Sequence, residues 1–110
     1  MFKLSLKILV SLLLVCSFLV ESHEIDQMTL EEKVGQLFMA YFDGESANEH
    51  AERLIRETKI GGIIYYNWSN GLEDPSKVQK MSNDLQALAT QYVGIPLFIS
   101  ADQEGGVGSS

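Results

Sequence analysis

Residues 59–78 read KIGGIIYYNWSNGLEDPSKV, and they contain a complete change of structural period. Lys59 closes an amphipathic stretch and Gly61-Gly62 allows the chain to turn. Residues 63–66, IIYY, are β-branched and aromatic throughout, as expected of a strand covered on both faces. The run NWSNGLED is turn chemistry, and Asp74 followed by Pro75 is a strong helix start: the carboxylate caps the first amides and proline accepts the first helical position. One segment therefore ends a helix, supplies a strand and opens the next helix.

The same alternation extends in both directions. Upstream, SANEHAERLIRETK predicts an amphipathic helix with Ser46 as N-cap and Glu49 three residues on, and with Ala47, Ala51, Leu54 and Ile55 on one face. Before it, MTLEEKVGQLF offers Thr29 and Glu32 as a capping box, with Leu30, Val34, Leu37 and Phe38 at helical spacing. Gly35 marks a break, after which LFMAYF reads as a buried strand or a helix-to-strand changeover ending at Asp43-Gly44. Downstream, Val78, Met81, Leu85 and Leu88 recur every three or four residues, Gly94 and Pro96 end that helix, and LFISA forms a third strand. The order β-α-β-α-β with apolar strands makes this an α/β chain with parallel crossovers. A closed (β/α)₈ barrel and an open doubly wound sheet both fit, and both place ligands at the carboxyl ends of the strands.

The first residues belong to a different regime. Lys3 and Lys7 precede a stretch of thirteen residues, Ile8 to Val20, without a charge. That is too short for a bilayer span of about 20 residues but long enough for the core of a signal peptide. Val20 and Ser22 are small residues at the two positions that matter before a cut, so residues 1–22 read as a signal peptide cleaved after Ser22. The chain is then exported, to the periplasm or beyond, with lipidation at Cys16 as a weaker anchored variant. Cys16 is the only cysteine, so cleavage leaves neither a disulfide nor a thiolate metal site in the mature chain. The net charge of −7 argues against nucleic acid and anionic membrane surfaces as partners.

Asp102 leaves the third strand at its carboxyl end, where side chains face a bound molecule. Glu104 follows two residues later, and Gly105-Gly106 lets the backbone turn sharply or approach a ligand closely. Glycosidases use two carboxyl groups held roughly 5 to 9 Å apart across the scissile bond. Neighbours on one loop do not supply that geometry. Asp102 therefore reads as a sugar-binding carboxylate, and Glu104, with Gly105 and Gly106, as loop support. His23 lies at the expected mature terminus and His50 on a helix outside the sheet, and neither reads as catalytic. Tyr65, Tyr66, Asn67 and Trp68 close the second strand, where an aromatic face could stack on a sugar, with packing as the plainer role. Asn67-Trp68-Ser69 also has the form of a glycosylation sequon.

MTLEEKVGQLFM, IGGIIYYN and PLFISADQEGG, in that order and at this spacing, resemble the start of glycoside hydrolase family 3. The last motif is similar to that of the bacterial β-N-acetylglucosaminidase (β-N-acetylhexosaminidase) branch, and the resemblance spans residues 26–106. It implies the first three β/α units of a (β/α)₈ barrel over residues 23–110. It also implies retaining removal of terminal N-acetylhexosamine from glycans or peptidoglycan fragments, without metal or other cofactor. Asp102 matches the aspartate of the outermost sugar subsite. The family's nucleophile and acid/base lie beyond this stretch, so the resemblance assigns no catalytic residue here. The branch has an arginine at the position of Ser110, and GVGSS reads as a broken end, from truncation, a frame shift or a genuine stop. The implied product is an enzyme fragment inactive alone. The alternative is a small secreted, non-catalytic carbohydrate-binding or scaffold protein derived from that fold.

Mass spectrometry of the chain recovered from an exporting bacterial host should find a mature species beginning at His23. A species that keeps residues 1–22 would overturn the signal-peptide reading.

Overall fold

The computed structural model describes residues 24–103. Helix α1 (Glu24–Gln27) and helix α2 (Leu30–Gly35) lead into strand β1 (Met39–Ala40). Then come α3 (Glu49–Thr58), β2 (Gly62–Tyr65), the one-turn α4 (Asn67–Asn70), α5 (Pro75–Tyr92) and β3 (Phe98–Ala101). The three strands form one parallel sheet in the order β1-β2-β3, with Met39 opposite Gly62, Gly62 opposite Phe98 and Tyr65 opposite Ala101.

Helix α2 starts as its sequence predicts: the Thr29 hydroxyl accepts from the Glu32 amide, and the Glu32 carboxylate accepts from the Thr29 amide at 2.8 Å. That backbone bond holds the Glu32 carboxyl below its usual value. Helix α5 also starts where expected, with the Asp74 carboxylate accepting from Ser76 and Lys77 amides ahead of Pro75.

Helix α3 begins later than the Ser46 cap predicts. Asn48 is the N-cap, because its side chain both accepts from the Ala51 amide and donates to the Asp43 carbonyl at 2.7 Å. The asparagine amide carries its donor and acceptor on separate atoms, so the cap and the loop contact form together. The expected turn after β2 also contains α4, whose length of four residues falls below any periodic signal.

Among the described residues, helices cover one face of the sheet. Helices α3 and α5 pack on it, and Ile55, Ile63, Tyr65, Met81, Leu85 and Ala89 form the centre of the core. Each large apolar side chain buried there contributes about 1.5–3 kcal/mol. Of the covering on both faces expected from the apolar strands, the described residues supply that of one face. Met39, Tyr41 and Phe98 are exposed on the opposite side, and so are Leu30, Leu37 and Phe38 around α2. Period-two alternation explains the split, since Ile63 and Tyr65 face the helices while Ile64 and Tyr66 face away. Among the described residues no helix is long and apolar enough to cross a membrane.

With β1 only two residues long, ladder bonds alone hold little, and side chains fasten the strand entrances instead. The Gln36 amide donates to the Lys59 carbonyl at 2.7 Å, and the Gly61 amide donates to the Gly35 and Phe38 carbonyls. The backbones come so close here that a Cβ on Gly35 would lie 2.0 Å from the Thr58 oxygen, and one on Gly61 would lie 2.1 Å from the Gln36 oxygen. Lys59 takes a left-handed φ of 52° to end α3, and its ammonium donates to the Tyr92 carbonyl at the end of α5. Gln86 bonds both backbone groups of Leu97, which sets the entry to β3.

Gly35→Ala and Gly61→Ala should each lower stability by about 1–3 kcal/mol, because a backbone oxygen must shift to admit the methyl group. Leu85→Ala should cost about 2–5 kcal/mol. Urea unfolding of the three variants beside the exposed control Gln91→Ala measures this, and glycine variants indistinguishable from the control would refute the close approach.

Candidate functional site

The carboxyl ends of the strands form one rim. Tyr41 leaves β1, Tyr66 leaves β2 and Asp102 leaves β3. The Asp102 amide donates to the Tyr65 carbonyl at 3.1 Å, so pairing continues one step past the Tyr65–Ala101 pair and sets Asp102 beside Tyr66. Asp102 is half-buried, and strand alternation puts it on the open face of the sheet with Ser100, Ile64 and Tyr66. Glu104, Gly105 and Gly106 lie outside the described residues, as do His23, Cys16, Ser110 and the expected signal peptide.

The four residues that close β2 do different jobs. Tyr65 faces the helices, and its hydroxyl shares a 2.9 Å hydrogen bond with Ser82 Oγ. Burial pushes its phenol above the usual value, with the Ser82 bond working the other way. Tyr66 and Trp68 remain on the open side, where their rings stack at 5.4 Å and 27°, and Tyr41 packs edge-on against both. Asn67 is a brace, its side-chain oxygen accepting from the Leu72 amide at 2.8 Å.

The rim is held by a residue that sequence reading passes over. Asn70 is 1% exposed, the one buried polar side chain among the described residues. Its amide nitrogen donates to the carbonyls of Phe42 and Gly44 at 3.0 and 2.9 Å, and its oxygen accepts from the Tyr66 amide at 2.9 Å. The loop after β1 is thus tied to the turn after β2. Ser69 adds bonds to the Phe42 carbonyl and the Asp43 carboxylate, and its own carbonyl accepts from the Gly44 amide. The only available signal was an Asn-Gly pair after a strand, and that pattern indicates a turn rather than a tie to a distant loop.

On the floor of the open face, the Met39 side chain lies over Gly62, where a Cβ would meet its terminal methyl at 2.7 Å. Its sulfur thereby reaches across β2 and accepts from the Ser100 hydroxyl. His50 is exposed on α3 and lines, with Tyr41, Asp43, Arg53 and Glu57, a shallow hollow of about 390 Å³ at the β1 edge. Asp102 is not part of that hollow, which is too open to enclose a ligand.

A parallel sheet with one helix-covered face and a polar-aromatic rim at its carboxyl ends is an α/β protein of the kind that binds ligands outside the strand exits. Residues 29–110 match the glycosyl hydrolase family 3 N-terminal domain, and the chain belongs to that family. Among solved structures it is similar to a glycoside hydrolase family 3 β-N-acetylglucosaminidase from Paenibacillus sp. str. FPU-7. The two share 48% identity with a TM-score of 0.65, over 72% of this chain and 15% of that one. No curated protein matches the chain.

Asn70→Ala should destabilise the chain by at least ~2 kcal/mol, because two carbonyls and one amide lose their partner in a buried setting. It should also release the rim, which amide hydrogen exchange at Tyr66 would report. Exchange at Tyr66 as slow as in the parent chain would refute the tie.

Proposed function

We propose that this chain is the amino-terminal part of a retaining β-N-acetylhexosaminidase that removes terminal N-acetylhexosamine from glycans or peptidoglycan fragments. Its β/α units are then the first three of a (β/α)₈ barrel, and residues 23–110 belong to the catalytic domain. The observation that carries this reading is the 48% identity to a β-N-acetylglucosaminidase across most of the chain. The rim supports it, because a half-buried carboxylate at a strand exit is a ready acceptor for sugar hydroxyls.

In this reading Asp102 holds the terminal sugar through its hydroxyls, and Glu104, Gly105 and Gly106 serve as loop support. The nucleophile and acid/base belong to later β/α units. Residues of this stretch therefore orient the sugar and leave bond cleavage to groups across the barrel. Retention requires a nucleophile and an acid/base close together on either side of the scissile bond, and in this reading both come from elsewhere in the barrel. The partner is carbohydrate, neither nucleic acid nor membrane, and the location is exported, periplasmic or secreted, with an anchor only if Cys16 is lipidated.

A chimaera tests this directly. Residues 24–103 replace the corresponding stretch of the Paenibacillus enzyme, and hydrolysis of a chromogenic N-acetylglucosaminide is followed. Activity should survive, and Asp102→Ala in the chimaera should lower kcat/KM by about 10- to 100-fold, the worth of a hydrogen bond to a charged group. The 110-residue chain alone should show background hydrolysis only. A folded chimaera that does not act on the substrate, or turnover by the chain alone, would overturn the proposal.

A further inference from the structure

Asn48, Asn67, Asn70 and Asn83 are the asparagines of the chain, and only Asn70 is followed by glycine. That pair can react with itself. A backbone nitrogen with no side chain beside it is free to approach the preceding carboxamide and close a five-membered ring. In the fold every reacting group is occupied. The attacking Gly71 amide donates to the Asn67 carbonyl at 3.0 Å. The Asn70 amide nitrogen, which would leave, donates to the Phe42 and Gly44 carbonyls, and the Asn70 oxygen accepts from the Tyr66 amide. At 1% exposure the carboxamide is also shielded from water. Ring closure takes the amide nitrogen out of both carbonyl contacts and the Gly71 amide off Asn67, so it does not proceed while the tie holds.

We infer that Asn70-Gly71 is a deamidation site kept latent by the rim tie, and that once the tie opens and the site reacts, the rim can no longer close. The Gly71 nitrogen attacks Asn70 Cγ, the N–Cγ bond forms and the Cγ–Nδ2 bond breaks. Ammonia leaves with the proton that Gly71 gives up. Water then opens the cyclic imide at either carbonyl, giving aspartate or isoaspartate. Neither product can restore the tie. A carboxylate in place of the amide has no proton to offer the Phe42 and Gly44 carbonyls, and sets a negative charge against two buried oxygens. Isoaspartate also lengthens the backbone by one carbon at the end of the turn. The side chain that fixes the strand exits is therefore also the one that records each opening of them, whatever ligand the rim takes.

The 110-residue chain is incubated in mildly alkaline buffer, with and without urea above its unfolding midpoint. Mass and fragmentation of the tryptic peptide 60–77 locate the conversion. In urea Asn70 should convert faster than Asn48, Asn67 or Asn83, and without urea at least about tenfold more slowly than with it. Ser69→Ala removes the hydroxyl bonds to Phe42 and Asp43 but keeps the reactive pair. It should hasten conversion without urea and leave the rate in urea unchanged. Gly71→Ala, measured in urea so that its folding is immaterial, should slow the reaction. Converted chain returned to buffer should show fast amide exchange at Tyr66, as should Asn70→Asp. Equal rates with and without urea, or no excess over the other asparagines in urea, would overturn the latent site. Converted chain that regains slow exchange at Tyr66 would overturn the loss of the rim.

Discussion

The geometry of the rim depends on the Asn70 side-chain amide. Loops at strand exits are normally the most variable part of an α/β protein, since nothing in the sheet prescribes their path. Here one buried amide satisfies two carbonyls of the first loop and one N–H of the second turn, so neither can move without leaving a polar group unpaired. Tyr66 and Trp68 inherit their positions from that constraint, and Tyr41 inherits its position from contact with them. The same turn precedes Asp74 and hence the start of α5, so the tie also links the open face to the helix layer behind it.

The opposite end of the sheet is secured by a different means. At the entrances to β1 and β2, glycine lets two backbones meet at distances that no side chain would allow, and Gln36 and Lys59 reach across to neighbouring carbonyls. Very short strands are tolerable under these conditions. The register is set by what lies before and after each strand.

Much of this was legible in the residues. The Thr29–Glu32 capping box, the Asp74-Pro75 start and the three apolar runs lie where they were read, because caps and period are local properties. The family resemblance, built on three ordered motifs, agrees with the match over residues 29–110. Ser46 was a wrong cap for α3 because Asn48 gains a second bond from a loop that local pattern does not contain. The burial of Asn70 was invisible for the same reason, since its partners Phe42 and Gly44 lie more than twenty-five positions away.

The methionine that bridges the sheet gives the rim an unlike counterpart. Around the edge, amide bonds and mutually braced rings make a frame that resists widening. Beneath it, Met39 stretches over the bare backbone of Gly62 to the Ser100 hydroxyl, a flexible and polarizable thioether with several rotamers within reach. The underside can therefore adjust by rotation about one thioether while buried amide bonds hold the strand exits above it in place.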